Sequence, residues 1–439
     1  MRIQIMVCIL AMAVPLCAQQ APAGSAASSD AAAMEQRIKD LEERIIALEG
    51  QVRVLKSQPG SNAAQPAAAE APTGQAAAGE AAATQPAAVP SPAAAPGLAE
   101  GAPLPTYGGA TSAAKALNPD ISVIGDFIGV AGGNPIQPTP ALQMHESEVG
   151  FQAIIDPYAK GDFFISFGEE GVNLEEGYIT FTALPAGFVA KVGKMRSAFG
   201  KVNTMHNHVL PWVERPLVTD NLVGGEDGLD DAGVSISRII PAPKGLFLEA
   251  TGQIFRGDSG DSEHPLFESS RNSDVSTVAH LRAYKDITES TNIDIGGSYA
   301  RGHNNFGTDF LTQLYGVDAT LHWKPLRRSI YHSFIARSEF IWSQRQQPLG
   351  EQRSFGYYAS ADYQLGRRWF LGGRYDSSDR AQNANFTDKG GSVVLTYWPS
   401  EFSQIRGQYR FTNYAENINT NELFLQVLFS LGAHGAHPF

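Results

Sequence analysis

From Asn118 to Phe439 apolar and polar residues alternate in short segments, the period of a strand with one buried face rather than of a helix. Sixteen such segments can be counted. In one, Phe355, Tyr357, Ala359, Ala361, Tyr363 and Leu365 alternate with Gly356, Tyr358, Ser360, Asp362 and Gln364. Another sets Ile405, Gly407, Tyr409 and Phe411 against Gln404, Arg406, Gln408 and Arg410. A third sets Tyr315, Val317, Ala319, Leu321 and Trp323 against Gly316, Asp318, Thr320 and His322. One face is apolar and ends in aromatics while the other is polar and charged, which suits hydrocarbon on one side and water on the other.

The connections alternate between short and long. Tight turns are expected at 156–158, 184–187, 241–244, 285–288, 324–326, 365–367 and 398–400, and longer polar loops near 136, 171, 215, 262, 305, 347, 382 and 417. Seven turns and eight loops predict an all-β transmembrane barrel of about 16 antiparallel strands, with both chain ends on the periplasmic side. No apolar run of 18 residues follows residue 18, so a helical span is excluded and a closed barrel remains the way across a bilayer.

The segments before the barrel have other characters. Arg2 and the apolar run Ile3–Leu16 suit a signal peptide, residues 1–18, with cleavage after Ala18. Cys17 raises a lipoprotein reading, which Leu16 opposes by standing where a small residue is wanted. Residues 19–33 have the composition of disorder. Residues 34–56 carry heptads, with Ile38, Ile45 and Val52 at a and Leu41, Leu48 and Leu55 at d; Arg37/Glu42 and Arg44/Glu49 fall at g and the following e. This predicts a short α-helical coiled coil of about 36 Å; the alternative is one amphipathic helix docked elsewhere. Residues 57–117 form a Pro/Ala-rich linker, about 190 Å long if polyproline-like and about 45 Å if coil-like.

Both cysteines, Cys8 and Cys17, lie in the segment expected to be removed, which excludes thiolate catalysis, disulfides and cysteine metal sites from the rest. The formal charge of −12 argues against nucleic acid as a partner.

Three stretches, residues 191–237, 156–168 and 423–439, resemble the phosphate-selective porin O/P-like family and related porins that carry an N-terminal coiled coil. The first, KVGKMRSAFGKVNTMHNHVLPWVERPLVTDNLVGGEDGLDDAGVSIS, is the most specific. The resemblance implies a sixteen-stranded barrel of the outer membrane, usually a homotrimer, whose third loop folds inward and narrows the pore. It also implies that Phe439 acts as the signal read by the barrel-assembly machinery. Such members place lysines on the constricting loop; here Arg215 stands against Glu214, Asp220, Glu226, Asp227, Asp230 and Asp231, so phosphate selectivity is not carried over. The heptad pattern itself leans towards a dimer; the trimer is preferred because barrel contacts should dominate.

The expected pore constriction comprises Lys194, Arg196, Lys201, His206, His208, Arg215, Glu226, Asp227, Asp230 and Asp231, and the expected lumen wall Arg337, Arg374, Arg406 and Arg410. A basic wall facing an acidic loop would set up a transverse field; the plainer reading is that these charges only solvate a wide pore. His206 and His208 make a His-x-His pair with no third ligand assignable from sequence, so hydrogen bonding or loop anchoring is the expectation, with no metal and no cofactor. The 224–228 Gly-rich stretch reads as a turn, since it lacks the lysine and the strand–helix setting of a phosphate loop.

These readings add up to passive diffusion of small hydrophilic solutes, anions among them, across the outer membrane, with the coil in the periplasm. The alternative is a structural tether in which coil and linker reach the peptidoglycan and the barrel only anchors. No local nucleophile motif supports an enzyme. A receptor with a plug domain needs about 22 strands, more than the length supplies.

Overall fold

The computed structural model describes residues 119–168 and 171–432. The expected signal peptide, coiled coil and linker, and Phe439, lie outside the described residues.

Sixteen antiparallel strands form one closed barrel: β1 (Asp120–Gly133), β2 (Leu142–Asp156), β3 (Ala159–Gly168), β4 (Gly171–Phe181), β5 (Phe188–Arg196), β6 (Asp230–Ile240), β7 (Leu246–Phe255), β8 (Ser276–Thr288), β9 (Thr291–Asn304), β10 (Gly307–Trp323), β11 (Phe334–Gln347), β12 (Gly350–Gly366), β13 (Trp369–Arg380), β14 (Asn383–Ser400), β15 (Ser403–Asn413) and β16 (Asn419–Gly432). Each strand pairs with its neighbours in sequence, and β16 returns to β1 with Val427 opposite Phe127. Closure leaves no unpaired edge, the condition for carrying backbone polar groups through hydrocarbon. Among the described residues no helix is long and apolar enough to cross a membrane.

The alternation sets each side chain's direction. In β15, Gln404, Arg406, Gln408, Arg410 and Thr412 are buried inside, whereas Ile405, Tyr409 and Phe411 are exposed outside. The outward aromatics form two belts. Tyr299, Tyr315, Trp342 and Phe355 stand in register across β9 to β12, and Trp323, Phe334 and Tyr363 do so nearer the other end. Phe355 and Tyr363 lie eight residues apart in β12. At ~3.3 Å per residue and a tilt near 40° the belts are separated by about 20 Å of height, close to the apolar band of an outer-membrane barrel.

Every expected connection falls at a strand boundary, but the short–long rhythm is less regular than the sequence suggested. Four of the connections expected to be long are tight hairpins, closed by the pairs Gly168–Gly171, Asn304–Gly307, Gln347–Gly350 and Arg380–Asn383. One connection expected to be short runs from 324 to 333 between β10 and β11. The reason is that ladder hydrogen bonds need no apolar side chains. Polar runs such as Ser343–Gln347 and Gly350–Ser354 read as loop, yet they continue the β11–β12 pairing.

Candidate functional site

The lumen-facing positions are not uniformly polar. Val278, Ala300 and Leu314 form one apolar row across β8, β9 and β10 in register. Gly316, Ile341 and Gly356 form the adjoining row across β10, β11 and β12. With Tyr358 and Val394 these residues make a dry track on a wall that should otherwise be wet.

The 197–229 connection between β5 and β6, the longest among the described residues, docks on that track. It contains one α-helix, α1 (Leu217–Val223), closed by Gly224 at φ 97°, a left-handed conformation that favours glycine at a helix end. Phe199, Leu210, Trp212, Val218 and Leu222 of the loop are all at most 1% exposed and pack with Leu314, Ile341 and Tyr358. The glycines of the track make room for the loop. A Cβ on Gly356 would come within 2.7 Å of Val218, and one on Gly316 within 3.1 Å of Phe199. Burying each large apolar side chain contributes roughly 1.5–3 kcal/mol.

Polar anchors complete the attachment. The buried Asn203 ties the neck of the loop, donating to the carbonyls of Ser197 and Leu229 and accepting from the Leu229 N–H. Glu339 on β11 accepts the N–H groups of Lys201 at 2.7 Å and Val202 at 2.6 Å. Glu214 meets Arg374 at 2.7 Å and accepts from Gln408 at 2.6 Å; Arg410 stands 3.8 Å away. Arg374 also pairs with Asp376 and lies over the Trp212 ring at 4.8 Å, while Arg406 donates to the Trp212 carbonyl. Across the barrel from β10 and β11, His145 on β2 approaches Glu226 at 3.2 Å, and Gln137 of the β1–β2 connection donates to Asp220 at 2.6 Å. The loop therefore crosses the lumen and grips both sides of it.

The expected site residues separate into groups. Arg374, Arg406 and Arg410 face inward but are buried, joined to the loop or, for Arg410, also to Glu422 at 2.6 Å. Lys194 pairs with Asp230, and Arg196 donates to the Asp227 carbonyl and lies 3.4 Å from Glu175. Glu226 accepts from Asn207. Asp231 holds the N–H groups of Gly257 and Asp258 at the start of the next loop, 256–275. Arg215 is buried within the loop and donates to the carbonyls of Val202 and Met205; burial and the charge of Arg196 push its pKa down to about 9.

Three basic side chains keep contact with water nearer the turn end of the barrel, Lys201 from the loop itself and Arg282 and Arg337 from the wall. Lys201 and Arg282 both meet Asp294, and Arg337 pairs with Asp362. At the loop end, a cavity of about 410 Å³ lies between α1 and the neighbouring loops, lined by residues that include Gln137, Asn221, His264, Arg345, Arg380 and Tyr414.

Near Glu226 the His-x-His pair reaches β2 and β4. His206 Nδ1 lies 2.8 Å from Glu148 and 2.9 Å from Glu175, and its Nε2 lies 3.0 Å from Glu176. His208 Nδ1 is 3.6 Å from Glu148. The carboxylates at 148, 175, 176 and 339 escaped sequence reasoning because only the barrel brings them to the loop. The apolar track had a signal, namely apolar residues standing on the polar phase of otherwise regular strands.

The 256–275 loop clamps the third loop from above. The N–H groups of Gly260 and Asp261 donate to the carbonyls of Gly228 and Gly224. Asp261 pairs with His264 at 3.2 Å. Burial works against the charge on each, but this pairing holds the His264 pKa above and the Asp261 pKa below its ordinary value. The stabilisation from His264 is present below its unfolded pKa and lost as pH rises through its raised folded one. That from Asp261 is present above its unfolded pKa and lost as pH falls through its depressed one. Hydrogen exchange at Gly260 and Asp261 should therefore be slowest between the two and faster on either side, once corrected for the intrinsic rate. The effect should be no more than about 1 kcal/mol for a part-exposed pair, and a flat profile would exclude it.

No family model matches the chain. An uncharacterized protein of Aquifex aeolicus (strain VF5) is 28% identical over 386 residues, covering 74% of this chain and 81% of that protein. Among solved structures, a loop L8 deletion mutant of OmpT, an outer membrane protein of Vibrio cholerae, superposes with TM-score 0.50 at 9% identity over 71% of this chain and 99% of that one. The outer membrane channel DcaP of Acinetobacter baumannii gives TM-score 0.49 at 12% identity, over 72% of this chain and 96% of that one. The barrel fold is shared with an outer membrane protein; at these identities the likeness extends to the fold alone.

Proposed function

We propose that this chain is an outer-membrane porin through which small hydrophilic solutes diffuse passively, with the 197–229 loop as the size filter. The observation that carries the reading is a long loop anchored across a charged lumen, inside a barrel whose outer face is apolar between two aromatic belts. A barrel serving only as an anchor has no need of a shaped interior. The resemblance to the phosphate-selective porin O/P-like family supports the same activity, with a homotrimer as its assembly and the N-terminal coil in the periplasm.

The field across the remaining passage would run between the basic side chains Lys201, Arg282 and Arg337 and the acids Asp294 and Asp362, rather than from Arg374, Arg406 and Arg410, which are buried against the loop. Anions and dipolar solutes would be oriented there. Proteoliposome swelling in sugars and amino acids of graded size tests the reading. Rates should fall steeply with solute size, and liposomes that swell no faster than protein-free ones would overturn it.

A further inference from the structure

We propose that Glu146, Glu148, Glu175, His206 and His208 form a binding site for a divalent transition-metal ion that pins the third loop to β2 and β4. Two overlapping sets of donor atoms, Glu148/His206/His208 and Glu146/Glu148/Glu175, each lie within 4.8 Å of one another. Glu146, Glu148, Glu175 and His208 are at most 7% exposed. For an ion with bonds of about 2.0–2.2 Å to imidazole and carboxylate, neighbouring ligand atoms stand roughly 3–3.5 Å apart. The separations of 2.8 Å, 2.9 Å and 3.6 Å around His206 and Glu148 are close to such edges.

Direction distinguishes a coordination shell from a set of ion pairs. Glu148 Oε2 and His206 Nδ1 are 2.8 Å apart, yet neither makes a hydrogen bond, so the two atoms approach without aiming at each other. Atoms that share a central ion are arranged in that way. Both carboxylate oxygens of the buried Glu146 also lack a hydrogen-bond partner. The other nitrogen of His206 lies 3.0 Å from Glu176, the carboxylate contact that fixes the tautomer and ring orientation of a metal-bound histidine. Of the four carboxylates Glu146, Glu148, Glu175 and Glu176, Glu175 alone forms an ion pair with a guanidinium among the described residues, that of Arg196 at 3.4 Å, which leaves negative charge in excess. A divalent cation would neutralise most of that excess. Two imidazoles among the donors select a transition ion over calcium or magnesium.

The test is calorimetric titration of the chelator-stripped, detergent-solubilised full chain with Zn²⁺, alongside the visible spectrum after Co²⁺ addition. The wild type should bind one ion per chain, with cobalt bands characteristic of nitrogen and oxygen ligands. The H206A/H208A double variant should lose binding at least 100-fold, and the near-isosteric Glu148→Gln should weaken it strongly. Glu176→Gln, which meets the outer nitrogen of His206 and also accepts the Arg196 N–H, should weaken it about 10–100-fold, and His264→Ala should leave it unchanged. Heat-modifiable electrophoretic migration confirms that each variant is folded. If the double variant does not fold, the two carboxamide variants decide. Failure of the wild type to bind, or undiminished binding by folded Glu148→Gln, would overturn the proposal.

Discussion

Replacing residues 199–228 with a short Gly/Ser linker should raise single-channel conductance several-fold. Sixteen strands spaced ~4.8 Å apart and tilted near 40° enclose a circumference of about 100 Å, and so a backbone radius of about 16 Å. Inward side chains leave about 10 Å of that, and the loop with its helix occupies much of the section. The barrel should survive the change, because every strand keeps its ladder partners. Retaining Asp230 and Asp231 matters, since Asp231 holds the N–H groups of Gly257 and Asp258. Planar-bilayer recordings on folded protein supply the comparison. An unchanged conductance would mean that the loop does not limit flow.

Trp212→Ala should release the loop without unfolding the barrel. Trp212 is fully buried, packs edge-on against Tyr358 at 5.2 Å and lies under the Arg374 guanidinium. Truncating a buried tryptophan costs about 3–5 kcal/mol, from lost transfer energy and the cavity left behind. That loss falls on the loop's attachment and not on the strands, so the unfolding midpoint should move little. Amides of Leu217–Val223 should exchange hydrogen about 100-fold faster or more, and open-channel current noise should rise. Glu214→Ala should act in the same direction but less, because Arg374 keeps Asp376 as a partner. Unaltered exchange in α1 would show that the loop is held by other contacts.

Strand number and strand faces were legible in the sequence because both rest on a period of two, which a membrane barrel enforces strand after strand. Turn positions were legible for the same reason. Loop lengths were not: Gln344–Gln347 and Glu351–Arg353 are polar, and polarity at a barrel's rim does not distinguish a loop from a strand that extends past the lipid. An inward course for the third loop was implied by the resemblance to porins. Its partners were not. Arg374, Arg406 and Arg410 read as a wall facing water, and the barrel instead turns them into buried anchors for Glu214 and the Trp212 carbonyl. A sequence shows a charge, but the carboxylate that meets it lies 160 residues away. Similarly, the His206/His208 pair had no visible companion until closure of the barrel set Glu148 and Glu175 beside it.

On the proposed function, the closed barrel conducts through a lumen narrowed by its own loop. Purified full-length protein added to a planar lipid bilayer tests it most directly. Discrete, reproducible conductance steps are expected, and they should grow when residues 199–228 are replaced. A folded, membrane-inserted protein that passes no current, with or without that loop, would contradict it.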